Sequence, residues 1–358
     1  MNKDLEKHLT IIIITKDRYD FINRLLAYYN FTELKSKILI ADSTDFDHHN
    51  LNSNYIENYK NLDINFYHRP NIKPENLQNE MLEKVRTKYT IVCADDDIII
   101  DNSIIKCVDF LEKNNDYIAV TGRIHGFATE KDRARDCKIS IWNEYNQQNI
   151  SETNPNIRLK NYLSSYWVNF FSIVRTDDYI RCSKYAHLST SAAMRGEIIP
   201  CMTKALLGKT KKLNHLHMLR QFFLQKKHYP LKSVLEHAIT NNDWSKEISI
   251  LKTNLRQSLK ENKLDRYEEK FNKSFELSMY YYIKNEVLIF NKKFIFDYLF
   301  SKIFTKGKIK ALLNIVVKFY QRLKKLSKGK FNETESFNNF KNDTNFKNFV
   351  NFLGFIKS

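Results

Sequence analysis

Glycine is scarce, seven in 358 residues, and none precedes Gly122. A chain that opens this way lacks the Gly-rich phosphate loop with which nucleotidyltransferases begin, and that activity is set aside. The five cysteines (Cys93, Cys107, Cys137, Cys182 and Cys201) stand far apart with no Cys-x-x-Cys pair. Neither a disulfide framework nor a structural zinc finger is expected, and a reducing cytoplasm fits best. No uncharged apolar stretch reaches the length of about 18 residues needed to span a bilayer. The amino-terminal run is only four isoleucines with no small-residue cleavage site behind it, so it reads as neither signal peptide nor membrane span.

What is present describes a folded chain, with 42% hydrophobic and 13% aromatic residues in a length that accommodates two domains. The formal net charge of +17 calls for an anionic partner: nucleic acid, an acidic membrane surface or a phosphorylated substrate. Leu9 to Ile14 is almost purely β-branched, as in a strand buried on both faces. It ends at Thr15, and after the polar Lys16-Asp17-Arg18 the apolar residues Phe21, Ile22, Leu25, Leu26 and Tyr29 recur at helical spacing. A second strand, Lys37 to Ala41, runs into Asp42-Ser43-Thr44-Asp45. A third is predicted at Ile64 to His68, a helix over Pro74 to Lys88, and a strand over Tyr89 to Ala94. Then come a helix at Ser103 to Lys113, a strand at Tyr117 to Thr121 and a β-like segment at Tyr166 to Val174. This alternation predicts a doubly wound, mostly parallel α/β sheet, with ligands gathered beyond the carboxyl ends of its strands. Thr15 to Arg18, Asp42 to Asp45 and Asp95 to Asp97 then share one edge.

Asp95-Asp96-Asp97 is the most informative triplet. Three adjacent carboxylates between apolar runs repel one another and need positive charge among them. A hard cation, Mn²⁺ or Mg²⁺, takes oxygen ligands, often one or two carboxylates plus phosphates and water. Strand alternation is expected to turn Asp95 and Asp97 to one side and Asp96 to the other. A plain turn or helix cap is the bland alternative.

The opening "LTIIIITKDR", the strand ending at Asp42 and "TIVCADDD" together resemble the nucleotide-diphosphosugar glycosyltransferases of GT-A fold, in particular the inverting family 2 type. The resemblance covers about residues 8 to 220. It implies a nucleotide-sugar donor held by Thr15, Arg18, Asp42, Asn79, Asp95 and Asp96, with Asp42 at the base and Asp95 near the ribose. Asp97, with Asp95, would hold the metal bridging the diphosphate. An inverting enzyme of this type takes its base from an Asp or Glu at a helix start well beyond the D-x-D motif, which points to Glu197 in "MRGEIIP", with Asp177 and Asp178 as competitors. "NHLHMLRQ" offers His217, with His215 as its neighbour, as a further metal ligand and Arg220 as a bidentate phosphate partner. Lys209, Lys211 and Lys212 would add positive potential or form a solvated run. Trp142, Tyr145, Tyr162, Tyr166 and Trp167 lie where an acceptor sugar would dock.

The predicted division is a GT-A domain over residues 1–225 and a basic, helical region over 226–358. Within the latter, residues 306 to 330 hold nine Lys or Arg and no acid, with Ile309, Leu312, Leu313, Val316, Phe319, Tyr320 and Leu323 on one stripe. That helix would dock on anionic lipid, or pack on the catalytic domain or on a second subunit of a homo-oligomer. Phe346, Phe349, Val350 and Leu353 suggest a further amphipathic turn or two. The expectation is a cytoplasmic enzyme, peripheral on the inner face of the cell membrane, passing sugar to a glycan or lipid-linked acceptor in surface polysaccharide synthesis. Two alternatives come from other classes. One is a non-catalytic scaffold that retains a metal site. The other is a nucleic-acid binder, which the absence of any recognised nucleic-acid signature disfavours.

Overall fold

The β-branched opening run forms β1 (Leu9–Thr15), and five residues in succession, Leu9 to Ile13, are fully buried. Burial on both faces follows from the helices that flank the sheet. Ile11 and Ile13 belong to a core with α1 (Tyr19–Phe31) and α3 (Asp101–Lys113), while Ile12 belongs to one with α2 (Pro74–Lys84) and α5 (Thr176–Ser183). The computed structural model describes residues 2–45, 56–129, 139–222, 244–279 and 281–282.

The sheet runs in the order β3-β2-β1-β4-β8-β6-β9-β5, with β7 (Ile139–Glu144) added on β6. The strands β1, β2 (Lys37–Asp42), β3 (Ile64–His68) and β4 (Tyr89–Ala94) are mutually parallel, the doubly wound half expected from the alternation. Beyond them β8 (Ile173–Arg175) runs antiparallel between β4 and β6 (Tyr117–Thr129). The long β9 (Lys209–Phe222) lies parallel to β6, and the two-residue β5 (Ile98–Ile99) caps it. The β-like stretch expected at Tyr166 to Val174 is a loop and a 3-10 turn, with strand only at its end.

A third core lies on α4 (Pro155–Ser164) and α6 (Ile199–Leu207). Onto it pack Leu251, Leu255 and Leu259 of α7 (Trp244–Glu261), with Phe271, Phe275, Met279 and Tyr282 of the helical residues that follow. The C-terminal helices, as far as they are described, therefore share a core with the sheet's own helices. The 225/226 boundary, the basic stripe of 306–330 and the turn around Phe346 to Leu353 lie outside the described residues. Among the described residues no helix is long and apolar enough to cross a membrane.

Leu255 is fully buried in this third core. Leu255→Ala is expected to cost about 2–5 kcal/mol of stability, measured by urea denaturation of the full chain. A loss below about 1 kcal/mol would mean that α7 is not integral to the core.

Candidate active site

Parallel register assembles the site's first row. Thr15 lies opposite Asp42, and Ile14 lies opposite both Ala41 and Ala94, so β1, β2 and β4 end together. The loops beyond are then tied across the edge. Ser43 N–H donates to Thr15 O at 3.0 Å, and Arg69 N–H to Asp42 O at 2.7 Å. The Asp42 carboxylate accepts from Thr44 N at 2.8 Å and Thr44 Oγ1 at 2.5 Å. Thr44 Oγ1 in turn accepts from Asp17 N at 2.9 Å. That bond holds Asp17 in the left-handed region, at φ 53°, a conformation Asp tolerates because its short side chain leaves room.

The aspartates do not alternate as a strand would dictate. β4 stops at Ala94, and a turn closed by Asp97 N–H on Ala94 O (3.2 Å) carries the triplet. Asp95 and Asp96 consequently face one arginine and Asp97 another. Arg18 Nη2 donates to Asp96 Oδ2 at 2.7 Å, and its Nε lies 3.4 Å from Asp95 Oδ1. Thr15 Oγ1 donates to Asp95 Oδ2 at 2.6 Å. On the far side Asp97 Oδ1 accepts from Gln221 N–H at 3.0 Å, and Oδ2 from Arg220 Nε at 3.3 Å. Burial pushes the Asp95 and Asp97 carboxyls well above the usual range. The Asp96 charge adds to this in both, and Arg18 on Asp95 and Arg220 on Asp97 pull back without cancelling it.

Glu197 is not at a helix start. Residues 192 to 207 are one continuous helix, and Glu197 sits in a π-turn, Met194–Ile198, inside it. Pro200 explains the turn: it has no N–H for Gly196 O and its ring crowds that carbonyl, so the helix widens. The bond from Ile199 N–H reaches back five residues, to Met194 O. The half-buried Glu197 accepts from Tyr166 Oη at 2.8 Å. Burial raises its pKa, while the Tyr166 hydrogen bond and the Arg220 charge hold it partly down. Asp97 and Glu197 thus act on the same guanidinium, which lies 4.1 Å from the centre of the Phe171 ring and 5.1 Å from that of Tyr145.

The structure brings together Thr15, Arg18, Asp42, Asp95, Asp96, Asp97, Glu197 and Arg220, with Tyr145 and Tyr166 from among the aromatics. Asn79 is half-buried on α2. His217 does not turn to the aspartates: its ring nitrogens are engaged by Ser103 Oγ at 2.6 Å and Phe171 O at 2.9 Å. Asp177 and Asp178 begin α5 beside Lys88, at the amino end of β4, roughly 20 Å along the strand from the triplet, and Asp178 is taken by Arg181. Lys209 and Lys212 are paired with Asp116 and Glu144. Tyr162 donates to Trp167 O at 2.7 Å inside the third core. The side chain of Trp142 lies outside the described residues.

Two contributors are invisible in the pattern of the sequence. Arg24, within the apolar face of α1, is 1% exposed and donates from Nη2 to Asp96 O at 2.9 Å, fixing the turn from below. The Gln221 amide acts through its backbone, which no side-chain reading finds.

Residues 10–176 match the profile of the family described as Glycosyl transferase family 2. That segment, β1 through β8, is a glycosyltransferase domain of GT-A fold. No curated protein matches the sequence. Among solved structures, S. aureus TarS is similar at 14% identity and a TM-score of 0.42, over 70% of this chain and 43% of that one. The chain thus spans less than half the length of that protein. TarS 1-349 in complex with UDP-GlcNAc is similar at 13% identity and a TM-score of 0.44, over 78% of this chain and 91% of that one. The mannosyltransferase PcManGT from Pyrobaculum calidifontis, in complex with GDP-Man and Mn2+, is similar at 10% identity and a TM-score of 0.41, over 88% and 80% of the two chains.

A raised carboxyl pKa means that the folded chain binds a proton more tightly than the unfolded one. Its stabilising contribution is complete below the ordinary value of 3.8 and is lost as pH rises towards about 7. Asp97→Asn, which mimics the protonated acid, is therefore expected to be better tolerated at pH 8 than at pH 5. The check is the difference in Tm between variant and parent, in EDTA, at the two pH values. A difference that does not change with pH would contradict the buried, uncompensated charge.

Proposed function

We propose that the chain moves a sugar from a nucleotide-sugar donor to a hydroxyl of a glycan or lipid-linked acceptor, by one displacement that inverts the anomeric carbon. The observation that supports this reading is the position of Arg220: it bonds Asp97, at the proposed donor end, and its charge acts on Glu197, the proposed base. Glu197 removes the acceptor's hydroxyl proton, the new bond forms from that oxygen to the anomeric carbon, and the bond to the nucleoside diphosphate breaks with its electrons. The raised pKa of Glu197 suits this work, since a base is more effective as its pKa approaches the working pH. Thr15, Arg18 and Asp42 line the edge where the nucleotide would lie, and Asp95 and Asp96 orient Arg18 there. Arg220, anchored between Phe171 and Tyr145, offers planar N–H donors to the departing phosphates.

A divalent cation, Mn²⁺ or Mg²⁺, suits the aspartate turn. Among the described residues the three carboxylates do not converge as a cage. Such ions commonly take only one or two protein carboxylates and complete their shell with phosphates and water. Burial raises the pKa of Asp95 and Asp97 in spite of Arg18 and Arg220, and a cation bound there would favour their ionised form. Asp97, with Asp95 behind it, would hold the ion, whose chemistry is to take up the charge of the leaving diphosphate. His217 is not part of this proposed set.

Surface polysaccharide is the proposed setting. The basic stripe of 306–330 is the proposed contact with anionic lipid on the cytoplasmic side, where a lipid-linked acceptor would be met.

The test is a transfer assay over UDP-, GDP-, dTDP- and CMP-sugars with Mn²⁺ or Mg²⁺. Glu197→Gln is expected to lower kcat about 10²- to 10⁴-fold with donor affinity nearly unchanged. Undiminished turnover in that variant would remove Glu197 as the base. Tyr166→Phe deletes a hydrogen bond that favours the ionised carboxylate. The acid limb of its kcat/KM profile should therefore move to higher pH, whereas a purely structural tyrosine would leave the limb in place.

A further inference from the structure

Ser103 and Cys107 lie one turn apart on α3, and His215 and His217 lie two apart on β9, so each pair presents its side chains to one side. The four meet between helix and strand. Ser103 Oγ is 2.9 Å from His215 Nε2, 2.6 Å from His217 Nδ1 and 3.7 Å from Cys107 Sγ, and Cys107 Sγ is 3.8 Å from His215 Nε2. The sulfur and one nitrogen from each histidine all lie within 4.8 Å of one another. Around a tetrahedral ion with bonds of about 2.0–2.3 Å, donor atoms stand roughly 3.3–3.8 Å apart. The Cys107–His215 pair stands at that spacing, the remaining pairs of the triad lie within 4.8 Å, and Ser103 is drawn closer to the imidazoles by hydrogen bonds.

Two further features favour a ligand set over an ordinary polar network. Phe171 O only accepts, so His217 Nε2 carries the proton (2.9 Å) and Nδ1 presents its lone pair to the cluster. A backbone carbonyl that fixes the tautomer in this way is the usual outer partner of a metal-binding histidine. The second is Gly122 on β6. A Cβ there would come within 2.6 Å of His215 O and 2.9 Å of His217 Cβ, so only glycine lets β6 close on the pair.

We infer that Cys107, His215 and His217 form a zinc site, with the Ser103 hydroxyl or a water as fourth ligand, that pins α3 to β9. Thiolate and imidazole donors select zinc over the hard cations suited to the aspartate turn. Binding expels the Cys107 thiol proton to solvent, and His215 carries its own proton on Nδ1 to free Nε2. The cysteine spacing along the chain gives no hint of the site, because its ligands come from two elements more than a hundred residues apart. The pin lies close to the donor end: Asp97 precedes α3 by four residues, and Arg220 follows His217 by three. Holding α3 to β9 therefore holds Asp97 to Arg220.

The test uses the full chain, purified without chelator or metal-affinity resin, dialysed against zinc and then against buffer. Mass spectrometry of the metal content should find about one zinc per chain, as in a closed structural site. Replacement by Co²⁺ should give a thiolate-to-cobalt charge-transfer band, lost in Cys107→Ser and kept in Asp97→Asn. The second variant separates this site from the donor-side cation, so the zinc result stands or falls independently of the proposed transfer reaction. A zinc-free parent with no cobalt band overturns the inference, as does a band that survives Cys107→Ser. Should that variant prove insoluble, His215→Asn at the partly exposed edge serves instead. It is expected to weaken zinc binding by more than about tenfold, the least that losing even an outer partner costs. Unchanged affinity in His215→Asn overturns the site.

Discussion

The structure turns on one electrostatic problem, three consecutive carboxylates at the end of a strand buried on both faces. Asp95 and Asp97 are 3% and 2% exposed, so water cannot solvate them adequately. The chain answers with arginines from opposite directions, Arg18 from 78 residues upstream and Arg220 from 123 residues downstream. Neither contact forms unless the sheet is complete: Arg18 depends on β1 lying beside β4, and Arg220 on β9 reaching round to pair with β5. The charge balance of the triplet is therefore a report on the whole topology. Burial nonetheless keeps both carboxyls raised in pKa, since the two guanidinium groups only partly offset the loss of water.

Arg220 is the hinge between the two halves of the proposed chemistry. Its guanidinium rests on Phe171 and Tyr145, and Tyr145 is itself stacked on Phe222 with ring centres 5.9 Å apart. A lysine in that place would lack the planar surface that aromatic packing grips and the fork that meets a phosphate. Beneath the triplet Arg24 performs a different task. Its Nη2 bonds the Asp96 backbone carbonyl, and so it fixes the shape of the turn.

The parallel half was legible because buried strands are written as uninterrupted apolar runs, and the polar residues that end them mark the ligand edge. The assembly of Thr15, Asp42 and the triplet on that edge followed from strand order alone. What failed were inferences that carried a local period one step too far. Alternation was extended past Ala94, where the strand had already given way to a turn, and so Asp95 and Asp97 were placed on one side. The resemblance, with Gly196 before Glu197 and an apolar helical run after it, puts Glu197 at a helix start. The helix instead absorbs Pro200 by widening, which no periodicity reveals. His217 and Arg24 share a different difficulty: a polar residue in an apolar pattern gives no sign of which neighbour it will meet across a hundred residues.

The family match ends at residue 176, yet Glu197 and Arg220 lie beyond it, and so does the aromatic that backs the proposed base. Tyr282, from the helices after α7, packs edge-on against Tyr166 with ring centres 5.0 Å apart, and Tyr166 donates to Glu197. The C-terminal helices thus reach the carboxylate through a single intermediary. Leu251, Leu255 and Leu259 anchor them to the helix that carries it. The matched segment supplies a donor edge of family character, and the unmatched one determines how Glu197 is held and what stands before it. If Glu197 is the base as proposed, the groups nearest the attacking hydroxyl would come from the part of the chain that the family profile does not cover or be braced by it, and acceptor specificity would be set there.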